Sequence, residues 1–197
     1  MEAIFMDKFL IIGLGNIGEE YANTRHNIGF DIVDAFVKKH NGTWQISRLA
    51  EFATIKLKGR QVVLVKPTTY MNLSGRAFKY WMDHEKVPLS KTLTIVDDIA
   101  LPLERIRIRP SGSDAGHNGL KDIQLTLGTD AYPKLRYGIG NQYPKGGQVN
   151  FVLGKWSATE MPVVLEKIDT CVAVIEQFVL MGIDAAMNQY NKLIFKV

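Results

Sequence analysis

The sequence predicts an α/β fold: a single three-layer α/β domain over residues 1–197, with a mixed twisted sheet and helices on both faces. Two observations predict it. Apolar runs of strand length alternate with stretches whose apolar residues recur at helical spacing. One pair of strand-like runs, 52–58 and 61–66, is joined directly by Lys58-Gly59-Arg60, so a hairpin adds an antiparallel pair to the sheet. No repeat, low-complexity tract or composition shift marks a linker.

Phe9 to Ile12 is an apolar run that reads as a buried strand ending at Gly13. A polar stretch follows, and then Ile28, Ile32, Val33, Phe36 and Val37 define an amphipathic helix from Ile28 to Lys39. His40-Asn41-Gly42 closes it, a cation and a glycine at a helix C-terminus, so His40 is expected to cap. After the hairpin, Pro67 ends the second strand and Ser74 is placed to cap a helix burying Ala77, Phe78, Trp81 and Met82. His84, late in that helix, is expected on the surface. Thr92 to Val96 is a second buried strand, ending in Asp97-Asp98. Ile106 and Ile108 alternate with Arg105, Arg107 and Arg109, which gives a strand with one apolar and one basic face. A short helix with Leu120, Ile123 and Leu127 inward precedes a strand from Leu135 to Ile139. Val149 to Leu153 reads as a short extended segment. Ser157 and Glu160 have capping-box spacing before a long helix running to about Gly182, and a last helix covers Asp184 to Tyr190.

Hydrophobic residues at 46% and charged residues at 22% fit an ordinary soluble globular protein. No apolar run approaches membrane-spanning length, and no signal peptide is evident near the N-terminus. The lone cysteine, Cys171, excludes an internal disulfide framework, fits a reducing compartment and sits among core residues. A net charge of +4 favours an acidic or nucleic-acid partner without demonstrating one.

Gly13, Gly15 and Gly18 spell G-x-G-x-x-G after a strand, the dinucleotide fingerprint. That fingerprint needs a helix starting at the third glycine. Here Glu19-Glu20-Tyr21-Ala22-Asn23-Thr24-Arg25-His26-Asn27 follows with no apolar stripe, so the context is wrong for a nicotinamide or flavin site.

The loops after the strands collect Asn16, His26, Asn72, Asp97, Asp98, His117 and Asn118. The set holds histidines, acids and amides, but no obvious nucleophile. The histidines lack metal-ligand spacing and there is no cysteine cluster. What remains is a histidine base acting on water, with an acid to orient the imidazole and amides to steady an oxyanion or grip a peptide backbone. Ester or amide hydrolysis is the chemistry that fits. The competing reading is that the asparagines and glycines only form turns.

Longer motifs sharpen this. Gly13-Leu14-Gly15-Asn16-Ile17-Gly18 with Tyr21, Thr24 through Gly29, Lys66 through Gly75, Gly116 through Lys121, Leu135 through Gly140, and Phe151 through Gly154 resemble the bacterial peptidyl-tRNA hydrolase family, in order and over nearly the whole chain. The resemblance implies hydrolysis of the ester between a peptide and the tRNA 3′ ribose, in the cytoplasm, by a monomer, with no metal or cofactor. It also implies roles. His26 matches the catalytic base and Asp97 the acid that keeps it competent. Asn16 matches the residue that separates N-blocked from free aminoacyl esters. Tyr21, Tyr70, Asn72 and Asn118 match substrate-contacting positions, with Asn72 a candidate oxyanion donor. Arg109 and Arg136 match a basic pair used on the tRNA 5′ phosphate. Phosphate contacts suit an enzyme that must accept every tRNA, because they carry no sequence information. Arg105 and Arg107 are read as solvated.

The chain departs from the family pattern at Val96, where many members have histidine, at Ala100 and Glu104, and in the glycine-poor run Ser113-Asp114-Ala115. Two alternatives follow: an RNA-binding module that has lost its chemistry near Asp97, and a dinucleotide enzyme.

Overall fold

The computed structural model describes residues 7–196; the leader reading concerns the start of the chain, of which residues 1–6 lie outside that range. β1 (Asp7–Gly13), β4 (Arg60–Pro67), β5 (Thr92–Asp98) and β7 (Lys134–Gly138) form the parallel centre of a seven-stranded sheet. β2 (Gln45–Ser47) and β3 (Ala50–Leu57) extend one side and β6 (Ile106–Arg109) the other, each pairing antiparallel with its neighbour. The order is β2-β3-β4-β1-β5-β7-β6. The sheet is mixed, as the hairpin predicts. β2 had no signal in the sequence, because all three of its residues are exposed and no apolar alternation marks it.

Side chains alternate across the sheet, and that alternation sorts the core into two layers. Phe9, Ile11, Val62, Leu64, Leu93 and Ile95 face α1 (Ile28–Lys39), α5 (Met161–Met181) and α6 (Ile183–Tyr190). Leu10, Ile12, Val63, Val65 and Val96 face the other way, toward α2 (Ser74–Glu85) and α3 (Asn118–Leu127). Cys171 is buried within the first layer. No helix among the described residues is long and apolar enough to cross a membrane.

The first glycines serve packing. A Cβ on Gly13 would lie 2.1 Å from the carbonyl oxygen of Gly29, and one on Gly29 would lie 2.5 Å from Leu14 N. The start of α1 therefore lies directly on the end of β1. No α-helix begins at Gly18. Short turns at Glu19–Tyr21 and Arg25–Asn27 come first, so the geometry that would hold a pyrophosphate is missing.

Three local expectations change or gain detail. Ser74 does not cap α2: it is the first helical residue, and its hydroxyl donates to Met71 O at 2.7 Å. Residues 149–153 are not extended. Gln148–Val152 is a short helix, α4, whose outer face is solvated, so its apolar run carried no strand alternation. His40 does stand at the C-terminus of α1, and its Nε2 also meets Glu176 Oε1 at 2.9 Å, tying α1 to α5. The capping box forms as spaced: Ser157 N donates to Glu160 Oε2 at 2.7 Å and Glu160 N donates to Ser157 Oγ at 3.3 Å.

Candidate active site

The site lies beyond the carboxyl ends of β1 and β5, where an open α/β sheet leaves a crevice. β5 carries Asp97 at its end, held between β1 and β7. The turn Arg25–Asn27 brings His26 to it. Asn27 then fixes the loop above: its Oδ1 accepts from Asn16 N and its Nδ2 donates to Asn16 O, both at 2.8 Å. His26 and Asn16 are thereby locked into one unit by a buried amide.

Asp97 is 4% exposed, and its Oδ1 accepts two hydrogen bonds, from His26 Nδ1 at 2.8 Å and from His117 Nε2 at 3.2 Å. The tautomer of His117 follows from its other side. His117 Nδ1 accepts from Gly119 N at 3.1 Å and Leu120 N at 3.3 Å, capping α3. That nitrogen is bare, so Nε2 carries the proton that goes to Asp97. The two rings lie 4.9 Å apart at 43°. Burial alone would push the Asp97 carboxyl up, but the imidazoles on it, His26 foremost, hold it well below the usual carboxylate range. An ionised Asp97 fixes the His26 proton on Nδ1 and leaves Nε2 as a free lone pair. Burial disfavours the His26 imidazolium, yet the Asp97 carboxylate outweighs it and raises the His26 pKa above the ordinary value.

His26 opens into a cleft of about 100 Å³ lined by Asp97, Asp98, Asn118 and Arg136 and walled by Gln148, Val149 and Val152 of α4. None of its lining residues carries a hydroxyl or thiol. Asn16 and Asn27 line a second cleft, of about 320 Å³, with Phe30, Asp31, Lys66 and Thr68. Tyr21, Tyr70, Asn72 and Arg109 line neither cleft. Tyr70 is 77% exposed, and Asn72 is exposed in the turn Met71–Leu73. That turn sits against the start of α3, since a Cβ on Gly119 would lie 2.7 Å from Met71 Sδ. Tyr70 and Asn72 thus adjoin Met71, the residue of that turn that packs on the start of α3.

The basic pair separates. β6 and β7 place Arg107 opposite Arg136 and Arg109 opposite Lys134, so all four share one face. Arg109 is exposed there. Arg136 is not: it is 7% exposed, its Nη1 meets Asp98 Oδ2 at 3.2 Å, and its Nη2 donates to Ser113 O. Of the pair that the resemblance implies, Arg109 is open to solvent, whereas Asp98 and Ser113 hold Arg136 against the loop 111–117. Arg107 is exposed as read, whereas Arg105 donates to Leu193 O at 3.3 Å.

Reasoning from sequence missed two features. His117 grips the acid through its ring, which no spacing reveals. The wall of the cleft comes from α4, hidden by the extended reading of that segment. The departures divide: Asp114 and Ala115 line the His26 cleft, whereas Val96, Ala100 and Glu104 do not. Val96 is buried among the core residues facing α2 and α3, and Ala100 N donates to Asp98 Oδ1 at 2.8 Å, not to Asp97.

His26, Asp97 and His117 offer donor atoms within 4.8 Å of one another. Their hydrogen bonds consume most of that set: one Asp97 oxygen serves both rings, and His117 Nδ1 is occupied by backbone N–H groups. Among the described residues His26 Nε2 has no hydrogen-bond partner, which fits proton transfer better than ligation.

An α/β sheet that presents an acid-oriented imidazole at its strand ends, in a cleft without a side-chain nucleophile, fits the hydrolase class. Within that class the family is specific. The family model described as peptidyl-tRNA hydrolase matches residues 10–196, and the chain belongs to that family. It is 54% identical over 185 residues to a peptidyl-tRNA hydrolase of Phocaeicola vulgatus, covering 94% of this chain and 99% of that one. It is 46% identical over 184 residues to one from Porphyromonas gingivalis, covering 93% and 100%. Among solved structures, the peptidyl-tRNA hydrolase of Acinetobacter baumannii superposes with a TM-score of 0.89 at 31% identity, covering 98% of each chain.

Proposed function

We propose that this enzyme hydrolyses the ester that joins a peptide to the 3′ ribose of tRNA, with His26 as general base. The single observation that supports it most is the 2.8 Å contact of His26 Nδ1 with the buried Asp97 carboxylate. His26 Nε2 takes a proton from water as the oxygen attacks the ester carbonyl. Asp97 stabilises the imidazolium so formed, as orienting acids do in base-assisted acyl transfer. The tetrahedral intermediate collapses, the bond to the 3′ oxygen breaks, and the imidazolium returns its proton to that leaving oxygen.

In this reading Asn16 meets the peptide amide next to the ester and so prefers N-blocked substrates. Asn72 and Asn118 supply amides to the carbonyl and the terminal nucleotide, and Tyr21 and Tyr70 border the substrate path. Arg109 meets backbone phosphate of the tRNA, and Arg136 shapes the loop beside it. The enzyme works as a single-domain cytoplasmic monomer that recycles peptidyl-tRNA dropped from ribosomes.

The test is release of N-acetylated versus free amino acid from charged tRNA by wild type and Asn16→Ala. Wild type should cleave the N-acetylated ester selectively, and Asn16→Ala should narrow the preference. A wild type that binds tRNA but releases nothing would leave the RNA-binding module as the better reading.

A further inference from the structure

We infer that Arg25 is a positioning residue, one that sets the aim of His26 by bolting its turn to the segment that walls the cleft. This rests on His26 being the base. Arg25 precedes His26 in the same turn and is 9% exposed. Its backbone N donates to Gly154 O at 3.0 Å, and Thr24 bridges to Lys155. Its Nη1 donates to Lys155 O, and its Nη2 reaches both Glu160 oxygens, all at 2.9 Å. The guanidinium is held between two aromatic faces, 4.5 Å from the Phe151 ring and 4.9 Å from the Trp156 ring.

These contacts converge on one stretch, residues 151–160. It begins within α4, which supplies Gln148, Val149 and Val152 to the cleft, and it ends at the N-terminus of α5. Through Arg25, the base and the opposite wall become one rigid piece. Glu160 is already engaged by Ser157 in the capping box, so its carboxylate is fixed before it receives Arg25. A planar fork with two stacked faces is a demand that only a guanidinium meets, and an ammonium cannot reproduce it. Nothing in the proposed mechanism needs a cation next to the base for charge. The fork points away from the His26–Asp97 pair and into the 151–160 stretch.

The test uses Arg25→Lys and Glu160→Gln. Glutamine still serves in a capping box, so Glu160→Gln keeps the start of α5 while weakening the fork, and it carries the test should Arg25→Lys fail to fold. Three results are expected. kcat on an N-acetyl-aminoacyl-tRNA falls about tenfold to hundredfold, the scale set by a misplaced catalytic group, while KM stays within about twofold. Nuclear magnetic resonance of the His26 ring nitrogens shows its pKa falling, because the bond to Asp97 that raises it has loosened. The double variant is no slower than the slower single one, because both residues act through one clamp. Normal kcat in both variants, or a lowered kcat with an unmoved His26 titration, overturns the inference. A wild type that released no amino acid would sink the proposed function, and the ring titration would still decide the clamp.

Discussion

His117 Nε2 and Asp97 Oδ1 lie 3.2 Å apart, on the same carboxylate oxygen that receives His26 at 2.8 Å. Both rings line the cleft, but only that of His117 is also tied to helix α3. The acid is therefore shared between a donor pinned by a helix cap and one held by its turn alone.

Removing the fixed donor should separate stability from chemistry. His117→Ala strips the cap from Gly119 N and Leu120 N and should cost about 1–2 kcal/mol of stability. His117→Asn restores a capping oxygen and should recover most of that loss while leaving Asp97 one donor short. Thermal unfolding of the two variants beside their kcat values checks this.

The pH profile has a fixed sign. The base must be neutral, and Asp97 holds the His26 pKa above its ordinary value. Activity should therefore fall as pH drops through that raised pKa. Asp97→Asn removes the raising charge while burial persists, so the acid limb should move to lower pH. The rate at the plateau should drop about a hundredfold to ten-thousandfold, since an amide no longer enforces the tautomer. An unmoved acid limb in Asp97→Asn would show that His26 is not the group being read.

Arg109 and Arg136 should part company in salt titrations of tRNA binding. Arg109→Ala should weaken binding and flatten the salt dependence by about one counterion. Arg136→Ala should instead loosen the 111–117 loop and lower stability, because its charge is spent on Asp98. Equal loss of salt slope in both variants would count against this division.

Ala115 sits at φ 51° in that loop, a conformation that favours glycine. Ala115→Gly should stabilise the fold by about 0.5–1 kcal/mol, the relief of native strain being partly offset by unfolded-chain entropy. Chemical denaturation reads it directly.

The fold was legible wherever periodicity was strong. Leu10 and Ile12 against Phe9 and Ile11 already contain the two core layers, and the apolar spacing from Ile28 to Val37 marks the body of α1. Legibility failed where burial was one-sided or short. β2 is wholly exposed, and α4 spans five residues with no clear stripe. In the site, the motifs named the side chains but not their partners. Asn27 pinning Asn16, His117 sharing Asp97, and Asp98 claiming Arg136 are long-range pairings that only the folded chain creates.

The most direct measurement is kcat for release of N-acetyl amino acid from tRNA by His26→Ala, with tRNA affinity and unfolding temperature measured alongside. A loss of at least about a hundredfold in kcat with near-normal affinity and folding is the predicted result. Turnover close to wild type would contradict His26 as the base and, with it, the chemistry assigned to this cleft.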